Sequence, residues 1–458
     1  MKSAKLFFIG MSVFFLFTQV KGQDSTSTQA MTLEQCIEYA LKTNVNMLNA
    51  RLEVETAKAT VGEVKAMGLP QITGDIRTTW NYKVPISLLP ASIIPEDQRP
   101  PGIVASDFVP VEFSTKFQGN AGINVNQLLF DGTYFLGLKA ADTYTKLSVK
   151  AIDVTKSEVV AGITKIYYGV LVMKERQGII KGNIKRISNL LRETTAMYEN
   201  GFVEELDVDK LQVTYNNLEN EQTRLNRFVE SNLNLLKYQM GMPVYENLEL
   251  VATLTEVTMN TSILESESVD YSLRPEYAVF QVQREIDMLD EKRYKVGYYP
   301  TVNLFGSAGY NMGSNDFDFF RFKDDTWFRN GAVGLQVNIP IFDGFRKKYQ
   351  IQQAKLKLQK TDLSIIHLKK TIDWERKDAL INLNNAITSL ESQSKNMELA
   401  KKVIDKAQIK YKEGVGSSME INNAETELLN AQNNYFSALY DALIAKVSYD
   451  KALGKLTE

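Results

Sequence analysis

The chain has 458 residues, 44% apolar, with a formal charge of −2, so it lacks the basic footprint of a nucleic-acid-binding protein. One cysteine, Cys36, excludes an intramolecular disulfide. With one histidine, His367, a zinc site of ordinary ligands or a Ser-His-Asp or Cys-His constellation has almost no parts to draw on. No phosphate-cradling glycine motif, metal cluster or nucleophile-base pair is written in the chain. No catalytic residue, cofactor or metal is therefore expected, and the chain reads as a non-enzyme.

The first stretch, MKSAKLFFIGMSVFFLFTQVKG, has a lysine-bearing head, an apolar run from Leu6 to Phe17, and small or modest residues before Gln23. That is the pattern of a signal peptide over 1–22, the run being too short to span a bilayer. Removing the leader's three lysines takes the charge from −2 to −5.

After the leader the chain alternates two periodicities. Four segments have period two and are expected as strands, at about 70–82, 116–130, 300–312 and 329–342. In the first, Ile72, Ile76, Trp80 and Tyr82 alternate with Thr73, Asp75, Arg77 and Asn81. In the second, Phe117, Ala121, Ile123, Val125 and Leu129 face away from Gln118, Asn120, Asn124 and Asn126. Val302, Leu304, Ala308 and Tyr310, and then Val333, Leu335, Val337 and Ile339, repeat the pattern. One apolar and one polar face over strands of this length fits transmembrane β-strands, and also a soluble sheet packed on a core. Residues 83–115 hold six of the eleven prolines and read as an irregular surface loop.

The other periodicity is helical. From Phe345 to Glu413 there is no proline or glycine, and a helix that long spans on the order of 100 Å. The positions Ala379, Leu383, Ala386, Leu390, Gln393, Met397, Ala400, Ile404, Ala407 and Tyr411 step by four and three as a coiled-coil seam. The seam resumes from Ile421 to Ala452, and a matching one runs from Ile166 to Tyr198. The shorter return helix cannot cover the whole rod, so residues 350–375 are expected against the segment that leads into the strands.

The chain is a duplicated unit. AMYENGFVEELD matches IKYKEGVGSSME with Gly201 and Gly414 213 apart, and QLLFDGTYF resembles IPIFDGFRK with Asp131 and Asp343 212 apart. MGLPQITGDI matches GYYPTVNLFG at an offset of 230, so the first copy carries a loop longer by roughly 18 residues within 83–115. The expected organisation is a first repeat over 23–242, a linker over 243–270 and a second repeat over 271–458. Hairpin tips fall near 198–207 and 411–420.

The duplicated Phe-Asp-Gly corners (Asp131, Gly132, Asp343, Gly344), RPEY at 274–277, TLEQCIEYALKTN at 32–44 and the two Tyr-x-x-Gly turns resemble the TolC family of outer-membrane factors. The resemblance covers essentially the whole mature chain. It implies a mainly α fold with a transmembrane β part: long coiled-coil hairpins forming a trimeric α-barrel, and four strands per protomer contributing to a 12-stranded barrel in outer-membrane lipid. It further implies an exit duct of a tripartite efflux pump or type I secretion system, with a periplasmic adaptor and an inner-membrane transporter as partners. The tips, with Tyr198, Gly201, Gly414 and Gly416, would dock the adaptor. The gate would comprise Tyr411 bonding to Asp207, Glu420 as a charged ring, and Asn423 where well-known members carry a second acid. Gly416 stands where some members have a latch arginine. A packing role on the seam is the alternative for Tyr411 and Tyr198, and helix-start electrostatics for Asp207 and Glu420. The other reading of the whole is an exported coiled-coil structural or spacer protein. Nothing in the sequence specifies the cargo.

Overall fold

The computed structural model describes residues 29–251, 270–317, 319 and 326–456. The expected signal peptide and most of the expected linker lie outside these residues. The first repeat runs β1 (Gln29–Met31), α1 (Leu33–Thr43), α2 (Val45–Ala66), β2 (Gln71–Trp80), β3 (Ile86–Pro90), β4 (Phe108–Glu112), β5 (Phe117–Phe130), α3 (Gly132–Glu199), α4 (Glu205–Met240) and β6 (Leu248–Leu250). The second runs α5 (Pro275–Val296), β7 (Thr301–Ser314), β8 (Trp327–Asn338), α6 (Arg346–Lys412) and α7 (Ser418–Leu453). No described helix is long and apolar enough to cross a membrane.

Local chemistry explains where the helices begin. Thr32 and Gln35 form a reciprocal capping box on α1, and Asn44 accepts from the amides of Asn46 and Met47 to cap α2. Pro275 opens α5 at a position whose N–H has no helical partner anyway. α2 and α5 start and stop 230 residues apart, while α4 and α7 do so at 213.

The duplication extends to single bonds. Asn44 donates through Nδ2 to the Gln239 carbonyl at 2.7 Å, and Arg274 donates through Nη1 to the Ala452 carbonyl at 3.2 Å. Each acceptor lies two residues before the glycine ending its helix, Gly241 or Gly454, with φ of 75° and 77°. A Cβ on either glycine would meet a backbone oxygen, of Thr43 or Leu273, at 2.5 Å. Different side chains thus tie the two return helices to equivalent corners. Arg274 also pairs with Glu276 and Glu375, so its buried charge is matched.

The main sheet has the order β2-β5-β7-β8, every neighbour antiparallel, and β2 and β8 are its edges. Its register sorts the side chains by face. One row carries Ile72, Val125, Gly306 and Val333, and two residues along another carries Gly74, Ile123, Ala308 and Gly331. Between them, on the opposite face, lie Thr73, Asn124, Ser307 and Ala332. On that polar face Asn124 donates to Asp75 at 2.6 Å, and Asn120 to Asn311 at 2.8 Å. The apolar face is bare in a single chain: Ile76 is 85% exposed and Val333 83%.

Three expectations for the strands are corrected. β8 ends at Asn338 rather than near 342, because Pro340 offers no ladder donor and residues 339–342 carry no strand. The register shifts between Leu128 and Phe130, so Leu129 leaves the simple alternation. The stretch 83–115 is not irregular throughout: β3 and β4 pair within it as a short antiparallel hairpin.

α3 and α6 have 68 and 67 residues, each about 100 Å long. Their tip halves pair with α4 and α7 along the expected seam. Ile404, Ala407, Ile421, Ala424 and Leu428 share one buried cluster there with Leu190 and Leu211 of the first hairpin. The other half of α6 packs against α5, the segment that enters β7. Arg284 bonds to Asp362 at 2.6 Å, and the buried Asp287 accepts from Thr361 at 2.6 Å and pairs with Lys357 at 2.9 Å.

The hairpin tips as a candidate gate and docking site

Both long helices end by the same backbone device. After α3, the Gly201 amide bonds to the Tyr198 carbonyl and the Phe202 amide to the Met197 carbonyl. After α6, Gly414 bonds to Tyr411 and Val415 to Lys410. These crossed bonds satisfy carbonyls left over at a helix end and require a left-handed residue. Gly201 and Gly414 supply it, with φ of 75° and 74°.

The tips then diverge. Tyr411 is buried and Tyr198 is 41% exposed, although they occupy the same place in the repeat. The expected Tyr411–Asp207 bond is not made. The Tyr411 hydroxyl lies 3.5 Å from that of Thr194, and Asp207, in the first turn of α4, accepts instead from the Ser418 hydroxyl. Ser418 opens α7, so the link still joins the two hairpins but uses a shorter side chain one helix further on. Gly416 has no space for a side chain: a Cβ would sit 2.9 Å from the Tyr411 nitrogen. Its own amide donates to the Lys410 carbonyl at 3.0 Å.

Ser417 caps α7 by accepting from the Glu420 amide at 3.2 Å. The Glu420 carboxylate lies 3.3 Å from Lys410 Nζ, with both side chains about half exposed. Glu420 is therefore partly neutralised within its own chain, at a modest energy because solvent screens the pair. Asn423 is exposed one turn along α7. At the opposite end of the rods, the paired corners differ as the tips do. Asp131 caps α3 through the Thr133 amide at 2.7 Å, whereas Asp343 accepts from the Lys347 amide at 3.0 Å across two left-handed residues, Gly344 and Phe345.

Sequence reasoning missed the strongest links between the hairpins. Arg186 on α3 bonds to both oxygens of Glu425 on α7, at 2.8 and 2.9 Å, and Glu425 is 1% exposed. Burial pushes the Glu425 carboxyl above the usual carboxylate range, and Arg186 opposes that push. Two turns further on, the buried Asn183 donates to Gln432 at 2.8 Å. Thr214 donates to Asn422 at 3.1 Å, and Lys412 pairs with Glu193 at 2.9 Å. The available signal was polar residues beside seam positions, such as Glu425 next to Ala424. The repeat could not reveal them, because neither member of the Arg186–Glu425 pair recurs in the other copy.

Among the described residues no group of three or more His, Cys, Asp or Glu could hold a metal. Cys36 is fully buried in the α1 core, its thiol pushed up to about 12 chiefly by desolvation.

The described fold is thus two pairs of long rods on a four-stranded sheet with one apolar and one polar face. Residues 293–455 match the sequence family described as Outer membrane efflux protein. The chain is 22% identical to outer membrane protein TolC of Escherichia coli over 74% of this chain and 70% of that one. It is 21% identical to outer membrane efflux protein BepC of Brucella suis over 98% and 90%. The Campylobacter jejuni CmeC outer membrane channel shares the fold, with a TM-score of 0.68 at 15% identity over 100% of this chain and 95% of the channel. The resemblance to TolC-family outer-membrane factors thus holds in sequence and in fold. Each of these named proteins is described as an outer membrane protein or channel.

Proposed function

We propose that three copies of this chain form a passive exit duct through the outer membrane, gated at the periplasmic hairpin tips. The observation that carries the reading is the sheet β2-β5-β7-β8, whose two edges are unpaired among the described residues and whose apolar face is exposed. Lipid does not tolerate open strand edges, so the sheet must close with others. β2 and β8 point in opposite directions, since three antiparallel steps separate them. β8 of one copy can therefore pair antiparallel with β2 of the next, and three copies give twelve strands around a water-filled interior. An exposed stripe on α6, Tyr349, Leu356 and Leu363 at intervals of seven, offers the rods a matching seam between copies.

In this reading the tips dock a periplasmic adaptor, which couples the duct to an inner-membrane transporter of an efflux pump or type I secretion system. The exposed Tyr198 and the Gly201 and Gly414 turns form the docking ends. Tyr411, Asp207, Glu420 and Asn423 surround the gate, with Ser418 and Lys410 added to that set. The first test is the native mass of protein extracted by detergent from carbonate-washed outer membrane. A stable trimer that conducts in planar bilayers supports the duct. A soluble monomer or dimer sinks it and leaves the coiled-coil spacer.

A further inference from the structure

The β3–β4 hairpin belongs only to the first repeat, and the duct reading gives it no task. Its position follows from the sheet. β2 begins and β5 ends beside the helices, so Trp80 and Phe117 stand at the far, extracellular end. The ten residues of β2, tilted by about 45°, rise about 24 Å, close to the ~25 Å apolar band of an outer-membrane barrel. The hairpin follows that end as a separate two-stranded sheet, tied to it by Asn81, which donates from its amide to the Lys116 carbonyl at 2.8 Å and from its side chain to the Thr115 carbonyl at 2.9 Å. It therefore projects into water beyond the lipid.

Its composition does not suit water. The pairing Leu88↔Pro110 and Pro90↔Phe108 gathers Ile86, Leu88, Pro90, Phe108 and Pro110 on one face, with Leu88 66% exposed and Glu112, opposite Ile86, as its single charge at the end nearest the main sheet. The opposite face is already used: Val109 is buried, and so is Ala91, whose carbonyl accepts from Arg99 Nε at 3.0 Å. Among the described residues, the hairpin is thus a folded unit with one unpartnered apolar face. Such a face outside the membrane costs free energy unless something covers it.

We propose that this face packs against the same hairpin of the neighbouring copies, so that three hairpins meet over the extracellular mouth and narrow it. The inference rests on the trimeric duct reading. Reach and symmetry favour this occupant. Twelve strands at about 4.8 Å spacing and 40° tilt enclose a radius of about 12 Å. The segment from Asn81 to Pro90 extends to about 30 Å, enough to reach the three-fold axis from the rim. Symmetry brings three identical apolar faces to that axis. The second repeat lacks the insertion, so the mouth carries three such flaps and not six.

The experiment is a Leu88→Cys variant in the full-length protein. Cys36 is fully buried and is the only native thiol, so any cross-link reports on position 88. Mild oxidation of the detergent-extracted trimer is expected to join two protomers in a band of twice the chain mass on a non-reducing gel. In planar bilayers, the combined Ile86→Ser, Leu88→Ser and Phe108→Ser variant is expected to conduct several-fold better than the parent. A trimer that stays uncross-linked while the serine variant conducts like the parent overturns the proposal and leaves the duct intact. A thiol that neither cross-links nor reacts with an impermeant maleimide assigns the face to lipid, and also overturns it. Absence of a trimer removes the duct reading itself.

Discussion

At the scale of single residues, the Arg186–Glu425 pair decides how firmly the two hairpins hold register. Removing one partner of a buried pair strands the other's charge, whereas replacing both with apolar residues is often neutral. Arg186→Met is therefore expected to destabilise the protein by about 3 kcal/mol, and Arg186→Met with Glu425→Met to recover most of that loss. Denaturant unfolding of the extracted protein measures both. The sign of the pH effect follows from the raised Glu425 carboxyl. Between its folded value and the lower unfolded one, the folded chain holds a proton that the unfolded chain lacks. This group's contribution to stability accordingly grows as pH falls through that window. Glu425→Gln should remove this dependence, and an unchanged profile would show that another group produces it. Nearer the tip, Glu420→Gln is expected to reduce cation selectivity and Lys410→Gln to increase it, because the two charges oppose one another at 3.3 Å. Reversal potentials in a salt gradient read both. If Glu420→Gln leaves selectivity unchanged, Glu420 does not line the constriction.

At the scale of elements, the glycines that end helices are not equivalent. Gly201 has open space where a Cβ would go, so Gly201→Ala meets only the left-handed backbone, at about 1 kcal/mol. Gly454→Ala adds a collision with the Leu273 carbonyl, at 2.5 Å from a peptide that cannot yield easily. Its loss of thermal stability should be clearly the larger. Equal shifts for the two variants would mean that the α7 end can move away from the 273 corner. The sequence already announced both glycines through the 213-residue repeat, but not which one is pressed against another chain segment. The same holds for the tyrosines of the Tyr-x-x-Gly turns. Periodicity assigned Tyr198 and Tyr411 to one seam, yet only Tyr411 is buried, because α7 and Thr194 close over it. Alternation located β2, β5, β7 and β8 to within a few residues. It missed β3 and β4, whose prolines disguise a hairpin stabilised by its own small core around Ala91 and Val109.

At the scale of the whole molecule, the two faces of one strand make opposite predictions. Val333 belongs to the apolar row with Ile72 and Val125, and Ala332 to the polar row with Ser307. If the sheet closes as a barrel in lipid, Val333→Arg costs about 2–4 kcal/mol near the bilayer midplane and lowers recovery from outer membrane. Ala332→Arg faces water and should assemble while lowering conductance. Equal recovery of the two variants would argue that neither face meets lipid. The rods lead to the same requirement. α6 buries one side against α7 and α5 but leaves Tyr349, Leu356 and Leu363 bare, so a single copy cannot cover its own apolar surface.

What the sequence alone determined is what repeats and periodicity carry: a duplicated unit, two rods of about 100 Å, four two-faced strands and glycine turns at both tips. These are local properties, set by side-chain spacing along one segment. The tertiary structure alone decided which polar residues meet across segments. Ser418 took the Asp207 bond expected of Tyr411, Lys410 moved against Glu420, and Arg186 found Glu425 from 239 residues away. Such pairs obey no period. They depend on how two separately encoded hairpins lie against each other, and that arrangement exists only once the chain has packed.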